Sequence, residues 1–191
     1  MPNSPDATYK VISVITAILV FLLICLVGVL SPILREAGTL PGGSKSAYSF
    51  HKFQLWLWTM VICPLFALYW GYSTDQIAMI NQTGLILLGI SGGTAVTAEI
   101  ISAAQKASKK APSLKITLPT KGFWEDILMD DSGNFSISRL QQLVFTLVYV
   151  IIYVSTFFKK PPFVYPQFDT NAYVLMGIST GAFLLGKGLN K

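Results

Sequence analysis

The sequence is poor in charge and in the residue types from which most catalytic and metal sites are built. Only 12% of its 191 residues are Asp, Glu, Lys or Arg, against about 25% in a typical soluble domain. The chain has one histidine and two cysteines, and neither Cys25 nor Cys63 has another Cys or a His at ligand spacing. We therefore expect no metal and no redox motif. No P-loop or dinucleotide-binding glycine pattern occurs either, so we expect no cofactor.

Hydrophobic residues make up 52% of the chain, and most of them fall in long runs. The first run, 11–30, has the length of a bilayer-spanning helix and is too long for the core of a secretory signal. Four further runs follow, at 53–72, 83–104, 140–158 and 172–189. These runs predict an all-α fold, a polytopic transmembrane helical bundle with five spans.

Basic residues indicate the orientation of the bundle. The loops 31–52 and 105–139 carry most of the Lys and Arg, whereas the opposite side holds Lys10, Lys159 and Lys160. Because cytoplasmic loops are enriched in positive charge, we expect the N-terminus outside, the C-terminus in the cytoplasm, and the protein in the cytoplasmic (inner) membrane. The net charge of +5 then reflects topology, and direct nucleic-acid binding is not expected.

Two stretches of the sequence occur twice at nearly the same offset. Residues 48–59, YSFHKFQLWLWT, align with residues 135–146, FSISRLQQLVFT, and residues 87–93, LLGISGG, align with residues 175–181, LMGISTG. Each copy contains two spans, so both enter the membrane from the same side, which predicts two parallel two-helix repeats. The predicted organisation is an N-terminal transmembrane helix (1–34), a first repeat (48–104), a cytoplasmic linker (105–134) and a second repeat (135–191).

The repeated letters GISGG and GISTG fit the G-x-S-x-G pattern of hydrolase nucleophile elbows. Such an elbow lies at a strand-to-helix turn and requires a histidine base. Both copies here lie in apolar spans, and the single histidine, His51, lies beside a loop, so we predict no enzyme. Glycines four residues apart favour close helix packing instead, with spans three and five meeting and the bulky spans two and four facing lipid. The predicted packing residues are Gly89, Ser91, Gly93, Gly177, Ser179 and Gly181.

Ionisable residues in the two small-residue spans are candidates for a functional contact. Glu99 aligns with Lys187, and an ionisable group in a membrane span suggests a functional site. Either the two residues pair as a salt bridge between the repeats, or they line a polar path near its cytoplasmic mouth.

The motif before spans two and four has two interpretations. In the first, Ser138 and Gln141 form a capping box at the start of a helix, while Lys52 and Arg139 reach lipid headgroups. In the second, Gln54 and its aligned partner Gln141 make a polar contact between helices inside the bundle.

The linker contains the stretch KGFWEDILMDD, which predicts a short amphipathic helix. Its polar side carries Glu125, Asp126, Asp130 and Asp131. Its apolar side is expected to contact lipid headgroups or a cytoplasmic protein partner, through Phe123, Trp124, Ile127 and Leu128.

The paired pattern S-x-x-[KR]-x-Q and [LM]-G-I-S-x-G, which covers about residues 48–188, resembles a set of uncharacterised bacterial multi-span membrane proteins. The resemblance carries no activity. We expect an integral membrane protein in contact with lipid, and the leading hypothesis is a homo-oligomeric channel or pore-forming subunit. The alternative is a membrane anchor or sensor subunit that recruits a cytoplasmic partner through 105–138, with anti-phage defence systems as an analogy.

Overall fold

The computed structural model describes residues 7–36, 44–73, 80–88, 119–129, 133–159 and 163–177. All the regular structure in these ranges is helical, apart from three isolated β-bridges. The helices are α1 (Ala7–Leu30), a 3-10 turn (Pro32–Leu34), α2 (Phe50–Tyr72), α3 (Gln82–Leu87), α4 (Phe123–Leu128), α5 (Ile137–Phe157) and α6 (Thr170–Leu175).

Three of the helices are long and apolar enough to cross a membrane, namely α1, α2 and α5. With 24, 23 and 21 residues at about 1.5 Å per residue, each matches or exceeds the ~30 Å hydrocarbon core. They coincide with predicted spans one, two and four. Most of predicted spans three and five lies outside the described residues.

Helix α1 packs antiparallel along α2. Near one end the Trp56 indole N–H donates to the Ile24 carbonyl at 3.0 Å, and near the other Gly71 faces Ser13. A Cβ on Gly71 would lie 2.0 Å from the Ser13 Oγ, so this close approach requires glycine. The remaining sides of α1 are exposed apolar surface, as expected for a helix in lipid.

Helices α2 and α5 run in the same direction, and the short helices α3 and α6 pack against them in a shared core. Gln54 meets Thr146 near one end, and the Trp58 and Tyr153 rings meet further along, with centroids 5.9 Å apart. The main core combines residues from all four helices: Trp58, Ile62, Leu65, Ile86, Leu87, Tyr153, Phe157, Ala172, Tyr173 and Met176.

The prediction that the bulky second span faces lipid was wrong, because α2 lies at the centre of the described core. Trp58 and Ile62 are fully buried. The size of the side chains did not distinguish a lipid-facing helix from a buried one, because lipid is as apolar as a protein core and large apolar side chains suit either environment.

Two further boundaries differ from the sequence-based expectation. Ser136 rather than Ser138 caps α5, and its hydroxyl accepts a bond from the Arg139 N–H. Helix α6 ends at Leu175, and Gly177 has a φ of 69°, which an α-helix does not allow. The predicted fifth span, 172–189, is therefore not one uninterrupted helix.

Candidate functional site

The start of α2 is fastened to the chain segment that follows α1. The N–H of its capping residue, Ser49, donates to the Leu34 carbonyl at 2.8 Å. Three residues on, the Lys52 ammonium donates to the carbonyl of the next residue, Arg35, at 2.6 Å. Lys52 thus donates a hydrogen bond to the backbone of the segment that follows α1.

The start of α5 repeats this arrangement with different residues. The Ser136 N–H donates to the Leu128 carbonyl at 2.8 Å, and the Arg139 guanidinium donates to the carbonyl of Met129. Serine and base are again three residues apart. The S-x-x-[KR] motif therefore docks each long helix onto the end of a preceding helical segment.

These fastenings belong to an ordered layer at one end of the bundle, which we call the collar (residues 31–36, 44–49, 119–129 and 133–136). The Arg35 guanidinium organises one side of it, donating to the Ser46 carbonyl at 2.7 Å and the Tyr48 hydroxyl at 2.8 Å. The guanidinium carbon lies 4.1 Å from the centre of the Tyr48 ring, a cation–π distance. The segment 119–129 joins the collar through the Thr120 N–H, which donates to the Lys45 carbonyl at 3.0 Å.

A buried carboxylate, Asp126, fixes α4 within the collar. Only 6% of the residue is exposed. One oxygen accepts bonds from the Tyr48 N–H at 3.1 Å and the Thr120 hydroxyl at 2.5 Å, and the other accepts from the Lys121 N–H at 2.9 Å. Charge-assisted bonds of this kind are about twice as strong as neutral ones. Asp126 therefore ties α4 to the residue just before the capping serine of α2.

The apolar face of α4 packs mainly into the chain's own core. Ile127 is fully buried, and Phe123 and Leu128 join it against α2 and α5 in a second cluster that contains Phe53, Leu57 and Leu143. Of the four predicted contact residues, Trp124 alone is largely exposed, at 65%. The predicted polar side of this helix was wrong at one position, because Asp126 is buried.

A second polar contact lies inside the bundle, between α2, α5 and α6. The amide nitrogen of Gln54, which is buried, donates to the Thr146 hydroxyl at 2.9 Å and the Met176 carbonyl at 2.6 Å. Gln54 thus makes the interhelical contact of the second interpretation. Its aligned partner Gln141 is exposed, so the two glutamines differ in environment.

Most predicted packing and path residues lie outside the described residues: Gly89, Ser91, Gly93, Glu99, Ser179, Gly181 and Lys187. Gly177 is described. A Cβ there would lie 2.4 Å from the Gln142 side chain, so this glycine permits both a left-handed turn and a close approach to α5.

The two short helices α3 and α6 begin and end at matching positions of the predicted repeats. The side chains of Asn81 and Asp169 cap them, accepting from Gly84 N–H at 2.9 Å and Ala172 N–H at 3.0 Å respectively. Between the helices, the Thr83 hydroxyl accepts a bond from the Tyr173 hydroxyl at 3.0 Å.

A cavity of about 130 Å³ opens beside this contact, at the end of the bundle opposite the collar. Its lining consists of Gln82, Thr83, Ile86, Gln167, Phe168 and Tyr173. Nearby, burial raises the pKa of the Tyr165 phenol above its usual value, and the neighbouring Tyr153 and Tyr69 add to the effect. The phenol of Tyr165 is therefore neutral at physiological pH.

Among the described residues, no cluster of His, Cys, Asp or Glu has the composition of a metal site. Sequence reasoning did not identify Arg35 or Asp126 as organisers of the collar, because their partners lie in other segments of the chain. No protein-family model, curated protein or solved structure matches the chain.

Proposed function

We propose that the protein is an integral membrane anchor subunit that presents its collar to a protein partner at the cytoplasmic face. Three apolar helices of bilayer length support the membrane location. The collar end carries Arg35, Lys45, Lys52, Lys121 and Arg139 among the described residues, and such an excess of positive charge favours the cytoplasmic side.

The observation that carries this proposal is the buried Asp126. A loop that only connects two helices needs no buried carboxylate, because desolvation of the charge is costly without compensating bonds. The three donors around Asp126 supply that compensation and hold α4 in one orientation. Trp124 consequently projects from a fixed position, and exposed tryptophans on rigid supports are typical anchors of protein interfaces.

The collar end also exposes further apolar side chains and positive charge. Phe135 and Ile137 are also exposed, and Lys45 and Lys121 lie exposed in the collar. We therefore expect a partner with an apolar contact surface and acidic residues around it.

The proposal is tested by photo-crosslinking in cells from p-benzoylphenylalanine placed at position 124. We expect a discrete protein adduct that the substitution Asp126→Asn strongly reduces, because the amide nitrogen can no longer accept bonds at one oxygen position. Glu125→Gln is the matched control, since Glu125 is the exposed neighbour, and it should leave the adduct unchanged. Adducts with lipid alone would overturn partner recruitment and assign Trp124 to the headgroup layer.

A second candidate, a homo-oligomeric channel or pore, rests on the matched ends of α3 and α6. Both helices stop one residue before a G-I-S motif of the sequence, and the carbonyl of Met176, the residue after α6, accepts a bond from Gln54 in the second turn of α2. Irregular backbone at membrane depth is tolerated where protein buries it or where it lines a water-filled cavity. Interrupted helices at corresponding positions of two repeats also mark transport sites.

The channel candidate predicts ion conductance from purified protein in planar bilayers. In that case Glu99→Gln and Lys187→Met should change conductance or ion selectivity, whereas Lys45→Met in the collar should not. Silence over a wide range of voltages, together with a monomer by native mass spectrometry, would remove this candidate and leave the anchor proposal intact.

A further inference from the structure

Three polar atoms in the bundle interior have no hydrogen-bond partner among the described residues. They are the indole nitrogen of Trp58 and the hydroxyl oxygens of Tyr153 and Tyr165. Trp58 and Tyr153 are fully buried. Buried polar groups in native proteins nearly always have a partner, so each exception requires an explanation.

The cost of leaving these atoms unpaired is high in a membrane protein, where bulk water does not reach the interior. Phenylalanine at any of the three positions would fill much of the same space without carrying a polar atom. Two of the three atoms lie at the α2–α5 contact, on Trp58 and Tyr153, and the third belongs to Tyr165, which packs against Tyr69 of α2.

The Trp58 and Tyr153 rings are in contact, and the Tyr153 hydroxyl lies beside the residues that line the cavity between α3 and α6, although none of the three groups is itself part of that lining. The Trp58 and Tyr153 rings have centroids 5.9 Å apart, and the Tyr153 hydroxyl lies 3.7 Å from where a Cβ of Gly84 would be. The preceding residue, Thr83, lines the cavity. Tyr165 lies towards the same end of the bundle, with its ring 4.7 Å from that of Tyr69.

The chemistry of the three unpaired groups, together with that of the nearby cavity, selects a small neutral molecule. The indole N–H can only donate, whereas each tyrosine hydroxyl can donate and accept, so the occupant needs at least one acceptor oxygen. Among the described residues, those that line the cavity carry no charged side chain, which disfavours an ion because its charge would remain uncompensated. A volume of about 130 Å³ holds about four molecules of the size of water.

We infer that this end of the bundle is a hydrated site, in which ordered water enters between α3 and α6 and bonds the buried hydroxyls of Tyr165 and Tyr153 and the indole nitrogen of Trp58. The site does not depend on partner recruitment by the collar. It brings water to within one helical turn of Gln54, because Trp58 and Gln54 are four residues apart on α2.

The first experiment detects water at the Trp58 indole by NMR. Protein labelled with ¹⁵N-tryptophan in detergent micelles should show a water cross-peak at the indole proton of Trp58, identified by its loss in Trp58→Phe. The matched control is Trp56, whose indole proton is bonded to the Ile24 carbonyl and should give a much weaker cross-peak. The inference would be overturned if the water cross-peak at the Trp58 indole proton were as weak as that at the Trp56 indole proton.

A stability comparison gives an independent result. If water completes their bonds, Tyr153→Phe and Tyr165→Phe lose those bonds and should lower the unfolding midpoint, as should the control Tyr173→Phe, whose hydroxyl is bonded to Thr83. If the hydroxyls are truly unpaired, Tyr153→Phe and Tyr165→Phe should raise the midpoint while the control still lowers it. A raised midpoint in both variants would overturn the inference.

Discussion

Replacing Gln54 by leucine removes the buried polar contact that joins α2, α5 and α6. The amide nitrogen makes two bonds, to the Thr146 hydroxyl at 2.9 Å and to the Met176 carbonyl at 2.6 Å. Leucine has a comparable volume and keeps the apolar packing. The loss of stability in Gln54→Leu therefore reports mainly on the hydrogen bonds.

The expected magnitude follows from the two acceptors. Interhelical hydrogen bonds in membrane proteins contribute about 0.6 kcal/mol on average and about 1.7 kcal/mol at most. The Met176 carbonyl is also left without the amide, and an unsatisfied buried acceptor costs about 1–3 kcal/mol. We expect Gln54→Leu to lower the free energy of unfolding by about 2–3 kcal/mol, and Thr146→Val by about 1 kcal/mol.

A double-mutant cycle isolates the bond between the two side chains. In reversible unfolding of the protein in mixed micelles, Gln54→Leu with Thr146→Val should cost less than the sum of the single changes, by about 0.6–1.7 kcal/mol. Gln141→Leu is the matched control, because this aligned glutamine is exposed, and it should change stability by less than about 0.5 kcal/mol.

The result that would refute this reasoning is strict additivity of the two substitutions, within about 0.3 kcal/mol. Additivity would mean that Gln54 stabilises the bundle only through Met176, or that the contact does not form. An effect of Gln141→Leu as large as that of Gln54→Leu would instead favour equivalent roles for the two glutamines.

Two further predictions concern the collar and the opposite end of the bundle. Lys52→Met and Arg139→Met each remove a charge-assisted bond to a backbone carbonyl, so each should destabilise the collar by about 1 kcal/mol. Hydrogen–deuterium exchange of the Ser49 amide in the first variant, and of the Ser136 amide in the second, should become about fivefold faster. The control Lys45→Met, at an exposed residue, should leave both exchange rates unchanged, and unchanged rates in the two test variants would contradict the role of these bases in fastening the helices. Burial raises the pKa of Tyr165 above its ordinary value of 10.0, so the fold favours the protonated phenol. This contribution is complete below pH 10 and is lost as pH rises towards the folded-state pKa. Stability should therefore fall more steeply above pH 10 in the wild type than in Tyr165→Phe, by up to about 1.4 kcal/mol per pH unit, and identical slopes would count against the burial of this phenol.

The membrane-spanning helices were the part of the fold most accessible from sequence. Runs of bilayer length predicted α1, α2 and α5 because few other structures accommodate some twenty apolar residues in succession. The predicted starts were three or four residues late, at 11, 53 and 140 instead of Ala7, Phe50 and Ile137. The first turn of each helix contains a base, Lys10, Lys52 or Arg139, which interrupts the hydrophobic pattern before the apolar run begins.

The collar was not predictable in the same way, because its bonds join distant segments. Amphipathic periodicity assigns a face by polarity alone, and it placed Asp126 on the solvent side of α4. The fold buries this carboxylate because it receives donors from Tyr48 and Thr120. The partner at residue 48 is far away in sequence, so no local pattern identifies it.

The serine-to-base spacing occurs at the starts of both α2 and α5, and at neither start does it form a capping box. In a capping box, a Glu or Gln three residues after the cap binds the N–H of the capping residue. Here carbonyls of the collar already accept the N–H of Ser49 and of Ser136, so that role is filled.

A base takes the third position instead, where its charge is unfavourable to the helix dipole. Side chains on a helix point back towards its N-terminus, and this direction carries Lys52 and Arg139 to the next carbonyl of the collar. The bond to that carbonyl offsets the unfavourable position. It also explains why a cation, rather than a glutamine, is found at both helix starts.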